Sequence, residues 1–427
     1  MVRLPSRQNS LAALAFLIPV IAVFSSKAMV PVLILMGLIM LWSHGPRHLN
    51  FSIFPRGPAI GLGFLILWAA LSALWSAQPE VVLRGIGPVA LLIFGGLFGV
   101  GLAGRLGPTY RRPIFIGLIA GLFVAFCLIS FEAATLSWMT RQFKQLSWAN
   151  IINFETGGMN LGAFLKDAVV ILSLLAWPVA AAFSGRRKYF WWVVLFALLC
   201  LTAFWFQAMT ALLAILGGAV LTGCGFLSFR WTARLLALGV LLVSLGMPWL
   251  IRPVVSVESL QLAGQGDGPL PLPSSAISRL YTWKFVGEKI EERAVIGWGY
   301  KASRYVPGGN EKYTVYGTSE SGQRKLLYRD YKIPLHPHNQ ALQVWLELGL
   351  IGALIAGLAG FGMIWRLSRP EGGAASRRSP FVFGLIASIL AYDLLSFGAW
   401  QNWWIASQFL SFMLLASIAR TDEIASD

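Results

Sequence analysis

Long apolar runs, separated by short polar breaks, repeat along this 427-residue chain. A bilayer-spanning helix needs roughly 20 mostly apolar residues, and by that rule about twelve stretches qualify. They lie near 9–25, 28–43, 58–76, 83–104, 113–132, 167–184, 189–208, 210–229, 232–251, 340–365, 380–397 and 403–419. One polar connection is far longer than the rest, from 252 to 339. The pattern predicts an all-α integral membrane protein of about 12 transmembrane helices. It divides into helices 1–9 over 1–251, one large loop subdomain over 252–339, and helices 10–12 with a short tail over 340–427.

Inside the large loop the pattern changes. Gly and Pro dominate Ala263 to Pro271, which reads as flexible chain. Leu280, Trp283, Val286 or Gly287, and Ile290 then recur at helical spacing, with Arg279, Lys284, Glu288 and Glu291 on the other face. This predicts an amphipathic helix over about 275–293, capped by Ser274 or Ser275 and suited to rest on a membrane surface. Gly297-Trp298-Gly299-Tyr300 reads as a tight turn. The connection over 133–166 is apolar and aromatic enough to predict a re-entrant or surface-lying helix.

Composition agrees: 57% of residues are hydrophobic and 12% charged, about half the charged share of soluble domains. The formal charge of +16 invites a nucleic-acid reading, but its distribution opposes one. Twelve spans put both termini on one side, where the connections carry Arg47, Arg56, Arg105, Arg111, Arg112, Arg186, Arg187, Arg230 and Arg366, among others. The short opposite connections carry only Lys27, Arg84, Arg141, Lys144 and Lys166. That asymmetry predicts cytoplasmic termini and an extracytoplasmic large loop. The first apolar run has no small-residue cleavage site and reads as a span. Cys127, Cys200 and Cys224 fall in apolar spans, and no disulfide or metal-ligand spacing is visible. No P-loop is present, so ATP is not expected as an energy source and no cofactor is implied.

Two of the four histidines sit together in Leu335-His336-Pro337-His338-Asn339-Gln340, where the loop gives way to an apolar span. An imidazole at a membrane–water boundary can act as a general base near neutral pH. His338 is the candidate base, or else a helix-start histidine that satisfies backbone groups behind Pro337. His336 and Asn339 stand as structural or orienting neighbours. Arg279 can clamp a phosphate through two parallel N–H bonds, or simply belong to a solvated face. Arg84, Arg141 and Lys144 share its compartment and could complete an anion-binding surface, or anchor lipid headgroups. Asp393 lies inside the eleventh span. There it could orient His338 or pair with an arginine between helices. Glu347 reads as a packing residue.

The run from His336 to Gly352, HPHNQALQVWLELGLIG, resembles the signature of the O-antigen ligase and polymerase superfamily. Ser278-Arg279-Leu280-Tyr281-Thr282-Trp283, followed by Ile296-Gly297-Trp298-Gly299-Tyr300, fits the same pattern. The resemblance implies a GT-C-like membrane fold and a metal-independent, inverting glycan transfer from undecaprenyl pyrophosphate on the periplasmic face of the bacterial inner membrane. The ligase branch uses lipid A–core as acceptor. The family's essential histidine maps onto His338 and its loop arginine onto Arg279. The motif does not choose the branch, so an O-antigen polymerase and a protein-glycosylating oligosaccharyltransferase remain alternatives. A lipid-linked sugar flippase is the rival from another class; it would carry paired inverted repeats and broken helices, and no matched pair is seen. Two lipid substrates would need a lateral cavity between spans.

Overall fold

The structure is a computed structural model, and residues 6–44, 55–144, 152–153, 158–159, 162–183, 185–253, 274–318, 324–369 and 379–419 are described. The expected flexible stretch 263–271 lies outside them, as do the side chains of Ser274, Ser275 and Lys144.

All twelve predicted segments are helical. They are α1 (Arg7–Phe24), α2 (Met29–His44), α3 (Arg56–Leu71), α4 (Pro79–Ala103), α5 (Arg111–Ala134), α7 (Gly162–Ala182), α8 (Lys188–Trp205), α9 (Met209–Leu227), α10 (Phe229–Ile251), α12 (Gln340–Trp365), α13 (Phe381–Leu395) and α14 (Asn402–Ile418). Among the described residues, ten are long and apolar enough to cross a bilayer. The last two are shorter, at 15 and 17 residues.

Helix α7 is the central post. In its apolar window 83% of residues are buried, against 11% to 44% in the other nine long helices. Trp177 on α7 donates from Nε1 to Ser388 Oγ on α13 (2.9 Å), and the Ser388 hydroxyl in turn donates to the Ala214 carbonyl of α9 (2.9 Å). Helices α1 and α5 touch backbone to backbone. A Cβ at Gly117 would meet the Ala12 carbonyl oxygen at 2.1 Å, and one at Gly121 the Phe16 oxygen at 2.2 Å. Small residues four apart permit that approach where lipid offers no hydrophobic drive.

Two of the connections carry structure of their own. The short helix α6 (Trp138–Lys144) occupies part of the 133–166 connection. Its first turn is held by the buried Glu132 carboxylate, which accepts from Met139 N (2.7 Å) and Thr140 N (2.9 Å). A two-residue hairpin follows, β1 (Ile152–Asn153) with β2 (Gly158–Met159). In the large loop the amphipathic helix forms as α11 (Ser274–Glu292). Leu280, Trp283, Val286 and Ile290 are buried as their spacing predicts. The loop also contains an antiparallel hairpin, β3 (Lys312–Thr318) with β4 (Arg324–Tyr331), which a purely helical reading omitted.

The most consequential local feature is a break in α12. Gly349 adopts φ 67° and ψ −165°, outside helical space. The backbone groups freed there are satisfied by the segment entering from α11. Trp298 N donates to Leu346 O (2.9 Å), Gly299 N to Glu347 O (2.8 Å), and Leu350 N to Ala294 O (2.8 Å). Trp68 Nε1 from α3 takes Leu348 O (3.0 Å). Buried backbone polar groups must find partners, and here the expected turn at Gly297–Tyr300 supplies them. The large loop is thus stitched into a long apolar helix by main-chain bonds.

Candidate active site

Each residue of the His336–Asn339 run has a separate local task. The Pro337 carbonyl accepts from Trp283 Nε1 on α11 (2.8 Å), which fixes the run against the loop helix. Asn339 is fully buried and caps α12, its side chain accepting from Leu342 N (3.0 Å). Between them His338 is forced to φ 57°, a left-handed conformation unusual for a non-glycine residue. Its N–H donates to His336 Nδ1 (3.1 Å). That turn swings the imidazole toward the connection between α13 and α14.

There His338 Nδ1 lies 2.7 Å from the Ser396 carbonyl oxygen. A carbonyl only accepts, so Nδ1 carries the proton and Nε2 keeps its lone pair. Ser396 follows the last turn of α13, where helix geometry leaves carbonyls without intrahelical partners. Burial holds His338 below the usual imidazole range; the Arg279 charge adds to this, while the Ser396 bond and Asp330 act the other way. Burial pushes His336 down to about 3, with the neighbouring His338 and Arg279 contributing. Its Nε2 meets the Gln401 side chain at 3.1 Å. Both rings are therefore neutral at pH 7.

Arg279 stands one residue after Ser278, whose carbonyl and hydroxyl both accept from Tyr313 OH (3.3 and 3.2 Å). Tyr281 stacks on Tyr313 with ring centres 5.0 Å apart. Helix α11 and the β3–β4 hairpin thus clasp each other beside Arg279. Its charge is felt by His336, by His338 and by Lys166 in the first turn of α7. Lys166 was counted in the sequence only as a loop charge. The signal that could have singled it out is a Lys-Asp pair opening an apolar span, since charges at such depth are costly without a task. Asp167 is engaged elsewhere, accepting from Ser26 Oγ (2.8 Å). Two cations held within electrostatic reach of each other, beside a neutral base, suit an anionic ligand.

The other candidates are distributed differently. Arg84 is exposed and paired with Glu80 one turn earlier on α4 (2.9 Å). Arg141 is half-buried on α6, and Lys144 ends that helix. Asp393 neither orients His338 nor pairs with an arginine: its Oδ1 accepts from Gln340 Nε2 (2.6 Å) and Trp404 Nε1 (2.8 Å), joining α12, α13 and α14. The group that orients the imidazole is a main-chain carbonyl three residues later.

Glu347 has a larger part than simple packing. It is fully buried and accepts four hydrogen bonds, from Ser303 Oγ, Gln343 Nε2 (3.0 Å), Trp400 Nε1 (2.6 Å) and Lys301 N (2.8 Å). Gln343 Oε1 in turn accepts from Ala399 N (2.9 Å). One carboxylate therefore ties the large loop near 301–303 and the 399–400 connection to α12. A cavity of about 240 Å³ opens between α10, α11 and α12, with Trp249, Ile251, Ile290 and Trp345 on its apolar walls. Neither His338 nor Arg279 lines it.

Comparison with known proteins bears on this geometry. Residues 193–357 match the O-antigen ligase family. The matched span contains Arg279, His338 and Glu347, so the resemblance read from those motifs is borne out. The chain is also similar to three proteins named "Putative polysaccharide ligase". The one from Rickettsia felis is 24% identical over 84% of this chain and 80% of its own. The one from Rickettsia bellii is 26% identical over 83% and 79%. The one from Rickettsia conorii is 23% identical over 89% and 84%. The O-antigen ligase match ends before α13, so Ser396, which completes the histidine site, comes from beyond it.

Proposed function

We propose that the protein is an inverting, metal-independent glycosyltransferase of the O-antigen ligase kind, working on lipid-linked substrates. The observation that carries this reading is the bond from His338 Nδ1 to the Ser396 carbonyl, which leaves Nε2 as a proton acceptor. Nε2 takes the proton of an acceptor hydroxyl as that oxygen attacks the anomeric carbon of the donor. The bond from that carbon to the pyrophosphate oxygen breaks on the opposite face, and its electron pair leaves with the pyrophosphate. Arg279 and Lys166 stabilise the charge that develops there. The proton stays on Nε2, and the Ser396 carbonyl steadies the resulting imidazolium through Nδ1. Arg141 and Lys144, in the connection between α5 and α7, are further candidates for the phosphates. The pair with Glu80 makes Arg84 a poor one.

In this reading the donor is a glycan on undecaprenyl pyrophosphate and the acceptor is lipid A–core. The protein sits in the bacterial inner membrane, with its termini cytoplasmic and the histidine run on the periplasmic face. The asymmetry of basic connections supports that orientation. The test is transfer by purified protein between these two substrates. His338→Ala and Arg279→Gln should each abolish detectable product while the protein remains folded; full transfer by His338→Ala removes the mechanism. Supplying a second lipid-linked glycan, or an acceptor protein, in place of lipid A–core separates the ligase from the polymerase and the oligosaccharyltransferase.

A further inference from the structure

The segment between the turn at Gly297–Tyr300 and β3 folds into a small, well-anchored ledge. Tyr300 is buried, its N–H donating to Ser72 Oγ (2.9 Å) and its ring 4.9 Å from that of Trp400. Lys301 N and Ser303 Oγ donate to Glu347. Past that anchor the chain turns three times in close order: Tyr305 N to Ala302 O (2.7 Å), Gly309 N to Val306 O (2.9 Å) and Glu311 N to Gly308 O (3.1 Å). Gly308, at φ 82°, permits the last of them. Val306 is buried beneath, and Gln78 faces the ledge from the connection between α3 and α4.

The result is a hollow of about 320 Å³, lined by Gln78, Arg304, Tyr305, Gly308, Asn310 and Glu311. The hollow is at the small end of ligand-site sizes. Its chemistry is mixed. Tyr305, 45% exposed, offers an apolar ring with a polar tip. Gln78 and Asn310 offer amides that both donate and accept, Arg304 donates, and Glu311 accepts. Lys332 pairs with Glu311 (2.7 Å), so the wall carries no strong surplus of acid. A lipid tail would want an apolar lining, and a phosphate would want a cluster of cations, whereas this lining holds one arginine, Arg304, beside the carboxylate of Glu311. A pyranose ring presents hydroxyls that donate and accept around its edge and C–H groups on its face, which is what this lining complements.

The hollow is also coupled to the reacting end of the site. Gly309 O accepts from Ile333 N (3.1 Å) and Glu311 O from Lys332 N (2.8 Å), so the ledge is bonded to the strand leading into the histidine run. The five residue steps from Ile333 to His338 reach at most about 18 Å. A glycan reacting at His338 has further sugar units to place over that range.

We propose that this hollow is a saccharide subsite, which holds a sugar ring other than the reacting one, from the donor glycan or from the acceptor's oligosaccharide. The proposal rests on the glycan-transfer reading above. The test uses the full-length protein in detergent and two probes, lipid-free O-polysaccharide and lipid-free core oligosaccharide, each released from lipopolysaccharide by mild acid. Binding is read by calorimetry. At least one probe binds the wild-type protein, and Tyr305→Ala weakens it about tenfold; Asn310→Ala, which leaves the buried floor untouched, weakens the same probe and serves if the tyrosine variant does not fold. Loss for the polysaccharide assigns the hollow to the donor, and loss for the core assigns it to the acceptor. The subsite is overturned if neither probe binds, or if both variants bind as the wild type does. Transfer by the wild-type protein is measured separately: product without any effect of the variants sinks the hollow alone, whereas saccharide binding without product sinks the transferase reading alone.

Discussion

Glu347→Gln keeps the shape of the side chain and removes one oxygen, so its effect can be worked from the four donors around it. The new amide nitrogen must face one of two pairs: Ser303 Oγ with Gln343 Nε2, or Lys301 N with Trp400 Nε1. A main-chain N–H and an indole N–H cannot accept. Turning the nitrogen the other way is easier, because the Ser303 hydroxyl can rotate to accept, but Gln343 Nε2 then meets a second N–H₂. Gln343 cannot flip to help, since its oxygen already holds Ala399 N. One buried donor left without a partner costs about 1–3 kcal/mol, and the surviving bonds lose their charge assistance. Relief of the buried charge returns part of this, so the net loss expected is about 2–4 kcal/mol. Trp400→Phe removes one donor and should cost about 1–2 kcal/mol. The two changes share a bond, so the double variant should fall short of their sum by about 1 kcal/mol or more. Unfolding in mixed micelles, followed by far-ultraviolet circular dichroism, measures all three. A Gln variant within about 0.5 kcal/mol of wild type, or strict additivity, would refute the reasoning.

Other consequences are equally concrete. His336, held at about 3 against about 6.5 in an unfolded chain, binds its proton more weakly when folded. Its contribution to stability is intact above about pH 6.5 and is lost as pH falls from there toward 3; melting midpoints from pH 7 to 4 should decline, and His336→Asn should flatten the decline. Gly349→Ala would set a Cβ 2.3 Å from Val295 O at a backbone conformation closed to alanine, so we expect about 1–3 kcal/mol of strain or more, with faster amide exchange at Gly299 and Leu350; unchanged exchange would count against the stitched break. Asp393→Asn should lower the melting midpoint yet leave the acid limb of the rate–pH profile in place, because Asp393 bonds Gln340 and Trp404 rather than His338. A shifted limb would restore Asp393 as the orienting group.

The apolar periodicity made the membrane helices and α11 legible, down to the buried set Leu280, Trp283, Val286 and Ile290. Runs of that kind report burial directly. The β3–β4 hairpin was missed although Tyr313, Thr314, Val315 and Tyr316 are strand-favouring residues. The run was short and sat in a segment otherwise read for helices. At the candidate site, His338 and Arg279 stood out as candidates because residue type carries their chemistry. The orienting group of His338 was not, because a main-chain carbonyl exists at every position and only the fold selects Ser396. Asp393 looked like the natural partner by type and depth, but its bonds run to Gln340 and Trp404. Lys166 was counted only as a loop charge because a charge at the mouth of a span looks the same in sequence whether it faces a headgroup or lies within the field of an arginine.

The stitched break at Gly349 has a bearing on biosynthesis. Residues 294–299 find their main-chain partners on residues 346–351, which emerge from the ribosome only after the hairpin and both histidines. The loop segment must wait, incomplete, until α12 has been made and can pair with it. His338 waits longer still, for the Ser396 carbonyl that follows α13. A nascent chain halted short of that point would hold every side chain of the motif and still lack the carbonyl that fixes the tautomer of His338.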